Sequence, residues 1–270
     1  MSERIRRRGS DKREGTMGDI SYGLREKVAV VTGGSRGIGY ELARELLAQG
    51  ARVAICGRKK EGLDAAAASL GDGDRLIAVA AHIARETEVE NLFDQAVKAF
   101  GRIDILINNV GMNLLTASIA ETDPALWNKI LESNLTGTYL CSRKAARLMR
   151  GQKSGKIVNI SSTAARKASP GMGVYGIAKA GIEMMTRILA MELASANIQV
   201  NAVAPGMVRT EFSKPFWSND ELCRMIVKGI PAGRIAETVD VVHPVLFLCS
   251  AGADYITGQT ILVDGGASVA

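Results

Sequence analysis

Aromatic residues make up only 4% of the 270-residue chain, and histidine occurs twice, at His82 and His243. Two histidines argue against a histidine-rich metal site. The four cysteines, Cys56, Cys141, Cys223 and Cys249, lie far apart and form no C-x-x-C. That spacing argues against a thiolate zinc site and against a secreted disulfide scaffold, and points to reduced thiols in a cytoplasmic protein. No uninterrupted apolar stretch reaches the ~18–20 residues of a membrane-spanning helix. The N-terminus lacks the apolar core of a secretory signal. Internal repeats, low-complexity tracts and Pro/Ser linkers are also absent, so residues 19–270 are expected to form one domain.

What remains is 47% hydrophobic and 23% charged, with 29 glycines. Such apolar mass fits a globular chain and not a disordered one. The formal charge of +6 is uneven. Residues 1–18 hold Arg4, Arg6, Arg7, Arg8, Lys12 and Arg13 against Glu3, Asp11 and Glu14. A nucleic-acid or targeting arm is one reading of that tail. A weakly ordered, solvated extension is the preferred one, with no nucleic acid and no membrane among the partners.

From Lys27 the chain alternates between two periods. Short β-branched runs stand at Val28–Val31, Ala51–Cys56, Leu76–Ala80, Ile103–Ile107, Lys156–Ile160, Ile198–Val203 and Thr260–Val263. Continuous apolar runs of this length suit strands buried on both faces. Between them, Gly37–Gln49, Glu86–Phe100 and Gly173–Ala194 carry apolar residues at three- and four-residue spacing. Asp123-Pro124 reads as a helix cap followed by proline at the first helical position, and Ser218 to Glu221 as a capping box. His243-Pro244 interrupts the last helical stretch, where proline is expected to cost a hydrogen bond and kink the helix. Strand–helix alternation with short connections implies one α/β, doubly wound sheet of seven parallel strands with helices on both faces.

The first strand runs into Thr32-Gly-Gly-Ser-Arg-Gly-Ile-Gly39, and a helix follows at once. Gly33, Gly37 and Gly39 let the backbone approach a pyrophosphate, while the helix N-terminus supplies N–H donors and a positive dipole end. No Gly-Lys-Ser/Thr follows, so the loop is not a P-loop.

This segment resembles the cofactor motif of the compact short-chain dehydrogenases/reductases, and the resemblance runs from about Leu24 to Gly266. Asn108-Asn109-Val110-Gly111 is similar to the family's N-N-A-G. Asn134 stands where such proteins carry an active-site asparagine. Ser162, Tyr175 and Lys179 match the Ser and Y-x-x-x-K pattern. Pro205-Gly206-Met207-Val208-Arg209-Thr210 resembles the P-G-x-V-x-T segment beside the nicotinamide. Ile256-Thr257-Gly258 and Val263-Asp264-Gly265-Gly266 match the C-terminal signature. The chain departs at His82, where the family often has an adenine-side Asp, and at Val110.

The resemblance implies a Rossmann-type oxidoreductase acting on CH–OH/C=O groups. Gly33, Ser35, Arg36, Gly37, Ile38, Gly39, Asn109, Gly111, Pro205, Gly206, Val208 and Thr210 would bind the cofactor, together with Tyr175 and Lys179. Tyr175 would exchange a proton with the substrate oxygen. Lys179 would tune Tyr175 and hold the nicotinamide ribose. Ser162 would bind the substrate oxygen, and Asn134 would anchor a water leading to Lys179. The physics agrees: Tyr175 and Lys179 share one helical face, and a nearby ammonium favours a phenolate. Ser161 is the rival of Ser162, but strand alternation turns the two to opposite faces.

Cofactor choice turns on the second strand's end. NAD is usually held there by a carboxylate, but Gly57-Arg58-Lys59-Lys60 offers none before Glu61. Arg58, with Arg36, suits a 2′-phosphate, which favours NADP(H) over NAD(H). Phe212, Phe216 and Trp217, followed by Leu222, Met225, Ile226 and Val227, suggest an apolar lid and an apolar or mixed carbonyl substrate. Ile182, Met184, Met185, Ile188, Leu189 and Met191 exceed one core stripe, and relatives of this type are commonly homotetramers. Two other readings remain. A 3-oxoacyl-[acyl-carrier-protein] reductase would need a basic docking patch, for which Arg143, Lys144, Arg147, Arg150 and Lys153 are candidates. A non-catalytic dinucleotide-binding protein is opposed by the intact Ser162, Tyr175 and Lys179.

Overall fold

All seven β-branched runs are strands. The computed structural model describes residues 20–71 and 73–270. The basic segment 1–18, with the expectation of weak order attached to it, lies outside those residues. The strands are β1 (Val28–Thr32), β2 (Arg52–Gly57), β3 (Leu76–Ala80), β4 (Ile105–Asn108), β5 (Gly155–Ile160), β6 (Ile198–Pro205) and β7 (Thr260–Val263). They form one parallel sheet in the order β3-β2-β1-β4-β5-β6-β7. The chain winds outward from β1 through β2 to β3, then returns to place β4 on the other side of β1. In doubly wound sheets such a reversal leaves a crevice beyond the strands' C-terminal ends.

Two helical layers cover the sheet. Helices α1 (Gly37–Ala48), α2 (Lys60–Leu70) and α9 (Thr238–Cys249) bury Leu42, Leu46, Leu63, Val241 and Val245 against Ala29, Val31, Val53 and Ile55. Helices α3 (Glu86–Phe100), α5 (Gly137–Gln152) and α6 (Gly173–Leu193) bury Leu92, Phe93, Cys141, Met149 and Leu193 against Val28, Val30, Ala54 and Leu106. Adjacent residues of β1 thus feed opposite layers, the period of two that a strand imposes. Strands β1, β4 and β6 are buried throughout, whereas every residue of the edge strand β7 is half-buried. Each fully buried Leu or Phe contributes about 1.5–3 kcal/mol of transfer free energy.

Helix α4 (Pro124–Leu131) starts as its sequence predicts: Asp123 caps it by accepting from Ala125 N and Leu126 N, with proline in the first turn. Two short helices, α7 (Lys214–Trp217) and α8 (Asp220–Lys228), follow β6. The expected capping box on Ser218 is corrected here. Asn219 is the cap of α8 and accepts from Glu221 N and Leu222 N at 3.0 Å. Both residues have capping chemistry, so one position in the loop's path decides between them. A capping box does form on α9, between Glu237 and Asp240. Helix α9 continues through Pro244, leaving the Asp240 carbonyl without its usual donor four residues on.

Candidate active site

The glycine loop spans the reversal between β1 and β4. Gly33 has a φ of +69°, a left-handed conformation that glycine adopts at no steric cost. At Gly39 a Cβ would lie 2.3 Å from the Gly33 carbonyl oxygen, so the first turn of α1 closes on the loop only because no side chain is there. Thr32 makes this junction rigid. Its fully buried hydroxyl oxygen accepts from Asn109 N at 3.0 Å and from Val110 N at 3.3 Å. Asn109 Nδ2 donates in return to Thr32 O at 3.0 Å and to Gly33 O at 3.3 Å. Thr32 was visible in the sequence only as the residue before the loop.

This cradle fits a dinucleotide's phosphates. No side chain caps α1, and no acidic residue occupies its first turn. Its free N–H groups and positive dipole end therefore face the crevice unopposed. Gly37 lies against Thr210, whose Cγ2 would be 3.6 Å from a Cβ at that position. Gly206 N donates to Val263 O at 3.0 Å, which ties the Pro205–Gly206 turn to β7. Buried Val208 bridges to Ala236, and its carbonyl accepts from Ser213 Oγ. At the far corner, Ser35 Oγ lies 3.6 Å from the Cβ position of Gly57. That contact sets the loop carrying Arg36 beside the strand end carrying Arg58. Both arginines are exposed and engage no carboxylate among the described residues. Ile38 packs at the edge of the core, under the loop. His82 is half-buried; its Nδ1 accepts from Ala84 N at 3.3 Å, so it stabilises its own turn.

Asn134, Ser162, Tyr175 and Lys179 come from three segments that meet on the far side of this crevice. Asn134 is fully buried in a π-helical turn, Glu132–Thr136, between α4 and α5. Its Oδ1 accepts from Met112 N at 3.1 Å, and its Nδ2 donates to Met112 O and Ile130 O, each at 2.8 Å. The wide turn is a known device for re-aiming a side chain within a helix. Gly111 brings Asn134 and Lys179 together: from its Cβ position, Lys179 Nζ is 3.7 Å away and Asn134 Oδ1 is 3.8 Å away.

Lys179 is 1% exposed, and its Nζ donates to Ile160 O at 2.8 Å. Burial lowers its pKa to about 8. The ammonium also sits 5.5 Å from the Tyr175 ring centroid. Burial raises the Tyr175 phenol to about 12, while a hydrogen bond with Ser162 pulls the other way. Desolvation of the buried ring is the largest influence on the phenol. Ser162 begins the 3₁₀ turn Thr163–Ala165 and accepts from Ala164 N at 3.2 Å. Ser161 is buried, and its hydroxyl donates to Glu183 Oε1 and Lys179 O on α6.

The three aromatics after β6 divide. Phe212 stacks at a tilt on Tyr175, with ring centroids 6.4 Å apart. Trp217 is committed to its own loop, its Nε1 donating to Thr210 O and Ser213 Oγ at 3.1 Å. A cavity of about 460 Å³ opens beyond Met207, between β7 and Pro244, and includes none of the four residues.

Comparison with known proteins agrees with this geometry. A family model described as enoyl-(acyl carrier protein) reductase matches residues 33–268. Human dehydrogenase/reductase SDR family member 4 is 37% identical over 244 residues, 90% of this chain and 88% of that protein. The chain belongs to the short-chain dehydrogenase/reductase family. A bovine 3-oxoacyl-[acyl-carrier-protein] reductase is 39% identical over 89% of this chain and 98% of its own. The structure of a short-chain type dehydrogenase/reductase from Mycobacterium ulcerans superposes with a TM-score of 0.88 at 30% identity, covering 93% of this chain and 92% of that one. Membership makes the protein an oxidoreductase acting on CH–OH/C=O groups, and implies a nicotinamide dinucleotide cofactor. Among the described residues, no helix is long and apolar enough to cross a membrane.

As in other sites of such enzymes, stability is given up here. Lys179 falls from an ordinary 10.5 to about 8 on folding, so the folded state binds its proton more weakly. The cost is full below pH 8 and is relieved as pH rises towards 10.5. Replacing Lys179 by Met is expected to stabilise the protein at pH 7 by up to about 3 kcal/mol. It should also flatten the rise in stability between pH 8 and 10. Urea unfolding of both proteins at pH 7 and 9.5 checks this; a destabilised variant at pH 7 would show that the Ile160 contact outweighs desolvation.

Proposed function

We propose that the protein is an NADP(H)-dependent oxidoreductase that interconverts a carbonyl compound and its secondary alcohol, with Tyr175 as the general acid and base. The observation that carries this reading is the buried Lys179 ammonium 5.5 Å from the Tyr175 ring centroid, with the turn that begins at Ser162 packed on the same helix, across the crevice from an uncapped glycine-loop helix. Gly33, Ser35, Arg36, Gly37, Ile38, Gly39, Asn109, Gly111, Pro205, Gly206, Val208 and Thr210 would hold the cofactor, which when bound supplies or accepts the hydride. Ser162 donates a hydrogen bond to the substrate oxygen and fixes its place. Tyr175 gives that oxygen its proton. A phenol at about 12 stays protonated at neutral pH, the form that reduction requires. Lys179 holds the ribose hydroxyls and favours the phenolate in reverse. Asn134 Oδ1 keeps a second lone pair, enough for a water that returns protons towards Lys179.

The substrate side is apolar. Phe212 lies on Tyr175, and Leu115 and Ile119 lie against Gly171 and Gly173 just before it; all three are exposed, which supports an apolar or mixed carbonyl compound. The 3-oxoacyl carrier-protein reading rests on the bovine relative's name and on the basic residues of α5. Arg143 is paired with Glu86, and Lys144 with Glu90 and Asp94. Two of the five cations are thus already neutralised, which makes this the second reading. A homotetramer through α5 and α6 is supported by Tyr139, Met184, Ile188 and Met191, all exposed; Ile182 instead packs inward.

NADPH oxidation against a panel of ketones, 3-oxoacyl thioesters and keto-sugars tests the assignment. Turnover of none of them sinks it. Tyr175→Phe should abolish that turnover and leave NADPH binding, followed by fluorescence, nearly intact. Wild-type rates in the variant would remove Tyr175 from the mechanism.

Cofactor choice has a sharper test. NADPH should be preferred to NADPH's unphosphorylated counterpart, NADH, by at least about tenfold, which needs only ~1.4 kcal/mol. Charge-assisted bonds to a 2′-phosphate are worth about that or more. Arg58→Ala should weaken NADPH far more than NADH. At Gly57 the nearest atoms to a Cβ are at 3.6 Å, ordinary contact distance, so Gly57→Asp is accommodated and should reverse the preference. The readout is kcat/KM for both cofactors at fixed ionic strength. Equal loss for both with Arg58→Ala would make Arg58 a solvated cation only.

Light scattering should give a mass near four chains at micromolar concentration. A stable monomer would overturn the tetramer.

A further inference from the structure

One buried carboxylate remains that the mechanism above does not use. Glu183 is 5% exposed and lies on α6 one turn beyond Lys179. Its Oε1 accepts from Ser161 Oγ at 3.2 Å, and its Oε2 accepts from Arg166 Nε at 3.1 Å. Ser161 and Arg166 are the two ends of the segment that carries Ser162. We propose that Glu183 and Arg166 are a positioning pair that sets the place of Ser162 relative to Tyr175. The inference rests on the reading of Ser162 and Tyr175 given above.

The segment is attached to α6 at four points. Lys179 Nζ donates to Ile160 O at 2.8 Å, just before Ser161. Ser161 Oγ reaches Glu183, sharing its hydrogen with Lys179 O at 3.4 Å. The Ala164 carbonyl then lies so close to α6 that a Cβ on Gly176 would be 2.7 Å from its oxygen. Arg166 returns to Glu183 at the end. Within the turn itself, the bonds at Ser162 are short-range: Ala164 N donates to its Oγ and Ala165 N to its carbonyl. Such a turn can pivot as a unit. Clamping both ends to the helix that bears Tyr175 and Lys179 removes that freedom, so Ser162 and Tyr175 share one rigid body. Displacement of a reacting group by about 1 Å can cost on the order of a hundredfold in rate.

Burying a carboxylate without its partner is destabilising, whereas removing both charges together is often neutral. Stability and position can therefore be separated. The experiment compares wild type, Arg166→Met, Arg166→Lys, the double variant Arg166→Met/Glu183→Gln, Ser162→Ala and Ser162→Ala/Arg166→Met. It uses NADPH and the panel compound with the fastest wild-type rate. Arg166→Met should lower kcat about tenfold or more with NADPH affinity unchanged, and Arg166→Lys should recover part of the loss. The rising, acid-side limb of the pH–rate profile for alcohol oxidation should move to higher pH, because a displaced Ser162 no longer favours the phenolate. The double variant should recover thermal stability but not kcat. In the Ser162→Ala background, Arg166→Met should cost nothing further. Recovery of kcat along with stability in the double variant overturns the proposal, as does the same loss from Arg166→Met with or without Ser162. If Ser162→Ala itself turns over at the wild-type rate, or if no panel compound is reduced, the underlying reading fails and takes this inference with it.

Discussion

The Thr32 hydroxyl joins the two strands on which the chemistry depends. β1 and β4 are neighbours in space but far apart in sequence, and the winding reverses between them. Their C-terminal loops would diverge if nothing bound them. Thr32 Oγ1 accepts from the β4 loop while Asn109 Nδ2 donates back to the β1 loop, so the glycine turn and the Asn109–Gly111 segment form one unit. Gly111 then meets Lys179 and Asn134 on the other side. The glycine loop and the cluster of Asn134, Tyr175 and Lys179 are therefore held at a fixed separation by a strand pair buried in the core, rather than by surface loops.

The second constraint is the burial of ionisable groups. Lys179, Tyr175 and Glu183 lie on one helix, and all three are nearly out of reach of water. Desolvation lowers the lysine to about 8 and raises the phenol to about 12. Both shifts disfavour the charged form. The lysine donates to Ile160 O, and the buried glutamate accepts from Ser161 and Arg166. Those partners all belong to residues 160–166. Helix α6 and the segment after β5 are thus mutually dependent, and loss of one contact would be felt at the others.

Much of this was legible in the chain. β-branched runs located all seven strands because buried parallel strands need continuous apolar sequence. The glycine spacing and the four-residue step from Tyr175 to Lys179 are local, and local geometry is what a sequence encodes directly. Errors arose where two chemically similar residues compete for one position, as at Ser218 and Asn219. The burial that raises the Tyr175 phenol was not legible, because it belongs to no single stretch of residues.

The sequence by itself determined the succession of strands and helices and the glycine turn that opens the first helix, since each depends on residues within one or two turns of one another. Tertiary structure alone decided that Thr32 would bridge two loops, that Asn134 and Lys179 would flank Gly111, that Phe212 would lie on Tyr175 while Trp217 would not, and that Glu183 would hold both ends of the Ser162 turn. These contacts join side chains that are distant in sequence. Their formation depends on how helices and strands dock, and that is fixed by close packing across the whole core.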